Sequence, residues 1–260
     1  MIRTFTLVFS QLVIGSLFFL PLLPIEKVRQ GFYRLCASLF LLLTGLTVFA
    51  LYRWFGWNAE TGIFGGLFAL LLLYNVTLWG NFPRARQRLL PLISAGGGVI
   101  LLVHAFMYQP PQATLWEAIF IPLNFVFSAL ALGAVFIGLA LGHWYLFVPA
   151  LPLDYFRRLT LYLFLALVGQ VLLIGTNLLY YGLWEGGIKV DLLFSGFLPI
   201  FLVRIFIGTL SSIVLAVLTW QTLKWKATQA ATGIFFIALL TVIAGELVSR
   251  FLFLMTTLPL

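Results

Sequence analysis

The sequence divides into eight consecutive apolar runs joined by short polar connections: Phe5–Pro24, Leu35–Tyr52, Thr61–Gly80, Leu89–Tyr108, Ala118–Val148, Phe156–Leu183, Leu192–Trp220 and Gln229–Thr257. A helix needs about 20 apolar residues to cross the hydrocarbon of a bilayer. Lipid offers no hydrogen-bonding partner to a peptide group, so segments of this length and continuity are expected to fold as helices. The expected fold is all-α, a polytopic transmembrane bundle of about eight helices, with residues 1–260 forming a single integral membrane domain. The last four runs are long enough to tilt or to project beyond the membrane.

Composition leads to the same place. The chain is 63% hydrophobic and 8% charged, whereas soluble domains are roughly a quarter charged. Trp54, Trp57, Trp79, Trp116, Trp144, Trp184, Trp220 and Trp225 all fall near run ends, as an interfacial aromatic belt would require.

The net charge of +8 does not indicate nucleic acid, because the basic residues are scattered among short loops. One set of loops collects Lys27, Arg29, Arg34, Arg84, Arg86, Arg88, Arg157, Arg158, Lys224 and Lys226. The other set has Arg3, Arg53 and Lys189, offset by Glu60, Glu117, Glu185 and Asp191. The positive-inside rule places the first set in the cytoplasm and both termini outside, as in a prokaryotic plasma (inner) membrane.

Arg3 and the run Phe5–Leu23 have the outline of a signal peptide. No A-x-A-like site follows, and Lys27, Arg29 and Arg34 come after the run, so a retained first helix is expected. Cys36 is the single cysteine. This chain alone therefore builds neither an internal disulfide nor a cysteine-ligated iron–sulfur cluster. The Gly96–Gly98 triplet suggests close helix–helix approach.

Ionisable groups inside a bilayer cost about 2.5–3.5 kcal/mol each on insertion scales, which makes them the informative positions. Arg204 lies in the seventh run, and Glu246 and Arg250 in the eighth, four residues apart on one helix face. Counted from Leu192, Arg204 is about 18 Å along its helix, and Glu246 is about 17 Å from Thr257. The two helices are antiparallel neighbours, so Arg204 and Glu246 are expected at one level, able to pair. Gln11, His104, Asn124 and Asn177 fall in the same outer half, and together these groups suggest a polar pocket opening outward. The competing expectation is that Arg204, Glu246 and Arg250 only staple the last two helices.

His104 lies near the end of the fourth run, which goes outward, and His143 near the end of the fifth, which goes inward, so they fall at opposite faces, cannot share one haem, and none is expected. No metal-ligand spacing or nucleophile motif is present.

Two segments carry a family resemblance. The stretch Ala244-Gly-Glu-Leu-Val-Ser-Arg-Phe-Leu-Phe253 has Glu-x-x-x-Arg followed by aromatics, and Phe5-Thr-Leu-Val-Phe-Ser-Gln-Leu-Val-Ile-Gly15 has a Gln and a small residue. With eight helices and an outer polar pocket, the chain resembles the membrane-anchor subunits of dimethyl sulfoxide reductase and the related polysulfide reductase, or NrfD-like, proteins. The family's histidine region between the second and third helices has no counterpart here. The resemblance implies a subunit that binds menaquinone or ubiquinone and exchanges electrons with an iron–sulfur subunit on the outer face, itself joined to a catalytic subunit. It implies Glu246 or His104 as proton acceptor, with Gln11, Arg250, Arg204 and Asn177 around the quinone. Two other functions are compatible with the sequence. One is a secondary transporter, for which Pro199 beside Arg204 marks a candidate helix break; the other is a purely structural anchor.

Overall fold

The computed structural model describes residues 1–80, 82–148 and 151–260. It contains eight helices long and apolar enough to cross a membrane. They are α1 (Ile2–Leu22), α2 (Gln30–Phe55), α3 (Ala59–Trp79), α4 (Pro83–Met107), α5 (Leu115–Phe147), α6 (Asp154–Leu183), α7 (Leu198–Lys224) and α8 (Thr228–Thr256). No strand occurs among the described residues. The all-α polytopic bundle expected from the apolar runs is the fold, and a lipid bilayer is its natural surrounding.

Local chemistry sets the helix ends. Asn58 caps α3 by accepting from the Thr61 amide at 2.9 Å. Thr114 opens α5 with a reciprocal capping box, its side chain accepting from the Glu117 amide while Glu117 accepts from the Thr114 amide. Pro83 stands in the first turn of α4, where its missing N–H costs nothing. α2 stops at Gly56, whose φ of 70° suits a residue without Cβ.

α1 and α5 form the centre. In their most apolar windows 72% and 67% of the residues are buried, against 33–44% for the other six helices. The two cross at backbone contact, where Gly15 lies against Ala129 and Gly133. A side chain at either glycine would force the helices apart. α2, α4 and α8 also pack on α1, and α6 and α8 pack on α5. Gly97 and Gly98 of the α4 triplet face Ile14 and Phe18 of α1 at ordinary contact distance, while Gly96 faces open space. The closest helix approaches therefore lie elsewhere, at Gly15–Gly133 and at Gly208–Gly245.

α7 departs from the single long helix suggested by the seventh run. A separate short helix, Ile188–Gly196, precedes it, and the chain bends at Phe197. Pro199 sits in the first turn of Leu198–Val203, so it starts the helix instead of breaking it. The backbone then winds as a π-helix from Arg204 to Leu210 before returning to α-helix.

The two faces of the bundle differ in charge. At one, Arg3 lies 4.7 Å from the Phe55 ring, and Asn177 donates to the Pro259 carbonyl at 2.7 Å, so both chain ends reach this terminal face. It also carries Glu60, Glu117, Glu185, Asp191 and Lys189. The opposite, basic face carries the arginines and lysines flanking the other connections. There Arg34 donates to the Leu78 carbonyl at 3.1 Å, Trp144 to the Val28 carbonyl at 2.6 Å and Arg157 to the Leu223 carbonyl at 3.3 Å, tying helix ends together.

Candidate functional site

Glu246 of α8 is the centre of a fully buried polar cluster. Its Oε1 accepts from Arg204 Nη1 at 3.1 Å and from Gln170 Nε2 at 2.7 Å. Its Oε2 accepts from the Ser128 hydroxyl and lies 3.9 Å from Arg250 Nη2. Arg250 in turn donates to Ser128 Oγ, to Gln11 Oε1 at 3.2 Å and to the Asn124 carbonyl at 3.4 Å. Its guanidinium rests 4.3 Å from the centroid of Phe125, a cation–π contact that replaces lost hydration. Five helices thus converge on one carboxylate and two guanidiniums.

The helices bring these groups together for identifiable reasons. The i,i+4 spacing puts Glu246 and Arg250 on one face of α8. Asn124 and Ser128 share a face of α5 by the same spacing. On α7, Gly208 meets Gly245 of α8 backbone to backbone, which lets Arg204 reach across. Arg204 begins the π-helical stretch, and its carbonyl accepts from Thr209 Oγ1 at 3.1 Å.

The pairing of Arg204 with Glu246 expected from the sequence is present, but the helix that carries Arg204 starts later than expected. Because α7 starts at Leu198, Arg204 is six residues, about 9 Å, inside it. The expected outward-opening pocket is instead an enclosed cluster, since Gln11, Ser128, Arg204, Glu246 and Arg250 are all fully buried. Several of its polar atoms have no protein partner: Gln11 Nε2, Asn124 Oδ1, Gln170 Oε1 and Arg204 Nε and Nη2. With two cations and one anion, the cluster carries excess positive charge in a low-dielectric setting.

His104 belongs to a second, neighbouring group. Its Nε2 lies 2.7 Å from Glu60 Oε1, and the Tyr108 hydroxyl donates to the same oxygen at 3.1 Å. The imidazole stands edge-on to Phe64, with centroids 4.9 Å apart, and to Phe125 at 6.2 Å. Phe125 therefore separates His104 from Arg250. His104 Nδ1 is buried without a partner. Burial, reinforced by the Glu60 carboxylate, pushes the Tyr108 phenol up, so it remains a proton donor.

Asn177 lies in neither group. Its Oδ1 accepts from Trp116 Nε1 at 2.9 Å, and its amide holds the Pro259 carbonyl. Trp116 stacks between Phe120 and Tyr180 at 3.9 and 4.0 Å. Beside it, Glu117 pairs with Lys189 at 2.8 Å. His143 is exposed at the far end of α5, its Nδ1 3.1 Å from the Leu139 carbonyl of its own helix. The two histidines occupy opposite faces, as their places in the runs required.

Sequence reasoning did not single out Ser128, Gln170, Phe125, Glu60 or Tyr108. Gln170 was findable as an uncharged polar residue amid the apolar sixth run. Glu60 was not, because a carboxylate two residues past a helix cap has the appearance of a loop charge. No protein-family model, curated protein or solved structure matches the chain.

Proposed function

We propose that the chain is the quinone-binding membrane subunit of a respiratory oxidoreductase in a prokaryotic plasma membrane. Its basic face would lie in the cytoplasm, and an iron–sulfur subunit, joined to a catalytic subunit, would dock on the terminal face. The observation that carries this reading is the buried, net-positive cluster with donors left over: Arg204 Nε and Nη2 and Gln11 Nε2. The two ring oxygens of a quinone accept hydrogen bonds, so the free donors match them in chemistry, and entry would require the enclosed cluster to open. When bound, menaquinone or ubiquinone supplies two-electron, two-proton chemistry.

The roles of this chain's residues follow from what each atom has free. Arg204 and Gln11 would orient a ring oxygen, while Arg250, engaged with Ser128, Gln11 and the Asn124 carbonyl, would hold Gln11 in place. Both Glu246 oxygens are already engaged, so its carboxylate would hold the two guanidiniums in place and balance their charge. A proton would pass more readily to His104, whose Nδ1 has no partner, and onward to Glu60 at the terminal face. Asn177, tied to Trp116 and Pro259, would shape that face.

The full occupation and burial of Glu246 favour a second reading, a structural anchor in which the cluster only locks the helices. Gentle purification from the native membrane, with mass spectrometry of copurifying proteins and extracted quinones, separates the two. An iron–sulfur protein together with bound quinone is expected. An iron–sulfur protein without quinone would give the anchor reading. A solitary, quinone-free chain would overturn both.

A further inference from the structure

A second polar site lies at the basic face, in a cavity of about 210 Å³ between the end of α1, α3 and the start of α4. Its floor includes the buried Tyr33 and Tyr74, and its rim includes Glu26, Arg86, Gln87 and Pro91. None of these side chains belongs to the Glu246 cluster.

Three observations give the cavity a chemistry. The Tyr74 side chain is fully buried and its hydroxyl has no partner, whereas the Tyr33 hydroxyl is committed to the Leu20 and Leu23 carbonyls. Pro91 lies inside α4 and has no N–H, so it removes the donor that the Gln87 carbonyl would otherwise receive. Both residues line the cavity. Glu26 and Arg86 both line the cavity, yet they form no ion pair with each other. The rim therefore presents a cation and an anion held apart above a free hydroxyl, with a spare carbonyl beside them.

We infer that this cavity binds the phosphoethanolamine headgroup of a membrane phospholipid. The phosphate would lie against Arg86, accepting from the Tyr74 hydroxyl. The primary ammonium would donate to Glu26 and to the Gln87 carbonyl. A site of one charge sign would suit an anionic headgroup. The opposed charges select a zwitterion, and the spare carbonyl favours one whose cationic end can still donate. The position fits, because the cavity lies on the basic face, where α1 ends and α4 begins.

The test uses the full chain in detergent, stripped of lipid and then offered phosphatidylethanolamine, phosphatidylcholine and phosphatidylglycerol in equal amounts. Native mass spectrometry reads the lipid retained. Phosphatidylethanolamine is expected to be retained above the other two. Tyr74→Phe, which keeps the ring and removes only the hydroxyl, is expected to lower its retention about threefold to tenfold, as for loss of one hydrogen bond. Arg86→Gln is expected to lower it by at least as much. Glu26→Gln is expected to remove the preference for phosphatidylethanolamine while leaving lipid binding in place. Equal retention of all three lipids, a preference for phosphatidylglycerol, or a Tyr74→Phe protein of unchanged melting temperature and unchanged retention would each overturn the assignment. Displacement of the lipid by inorganic phosphate would also overturn it, and would make the site one for the free anion.

Discussion

The Arg204 guanidinium reaches Glu246 at 3.1 Å, one helical turn from the point where Gly208 and Gly245 bring the backbones of α7 and α8 together. The two features depend on each other. A Cβ at Gly245 would stand 3.2 Å from Arg204 Nη1 as well as against Gly208. The bare helix surface is thus what admits the ion pair.

Substitution at that crossing should be costly. Gly245→Ala and Gly208→Ala are each expected to destabilise the protein by about 1–3 kcal/mol, the usual penalty for overpacking. Gly96→Ala, which faces open space, should be neutral. Thermal unfolding of the three variants in one detergent checks the contrast. Equal melting temperatures would contradict the close crossing.

Removing one partner of a buried ion pair costs about 3–5 kcal/mol because the remaining charge is stranded. Glu246→Ala strands two guanidiniums and should fail to accumulate in membranes. Glu246→Gln keeps the shape and the hydrogen-bonding reach. On the function proposed above, it is expected to assemble but to lose most quinol turnover, because Arg204 and Arg250 lose the charge that fixes them. Unchanged turnover would make Glu246 part of the scaffold alone.

His104 and Glu60 should be energetically coupled. In a cycle of His104→Phe, Glu60→Gln and the double variant, the coupling is expected to reach about 0.5–3 kcal/mol, the range for residues in contact. Additive effects on thermal unfolding would show that the 2.7 Å contact contributes nothing.

The orientation implied by the loop charges can be tested with single cysteines, since native Cys36 is buried and should give little background. In intact cells, Gln112→Cys on the terminal face is expected to react with a membrane-impermeant maleimide. Lys224→Cys on the basic face is expected to react only after permeabilisation. The reverse pattern would invert the topology.

The spans were legible because each is a continuous apolar stretch, and no other fold hides so much hydrocarbon from water. The Arg204–Glu246 pair was legible because a charge in lipid is costly enough to demand a partner, and antiparallel neighbours limit the choice. What escaped depended on packing. The bend at Phe197 leaves no hydropathy signal, so the start of α7 does not show in the sequence. His104 was read as part of the same pocket as Glu246. The ring of Phe125 that parts them is one apolar residue among many in the fifth run. Asn177 has the same polarity as a site residue, and only the fold of Leu258–Leu260 against it reveals its actual partner.

The central place of α1 has a consequence for biogenesis. The ribosome delivers this helix before every segment that will surround it, and Gly15 meets Ala129 only after more than a hundred further residues have been made. Until α5 and α8 arrive, Gln11 lacks the guanidinium that satisfies it, and the small-residue face lies open to lipid or to other nascent helices. The helix at the centre of the finished bundle is thus, during synthesis, the one that waits longest for its packing partners.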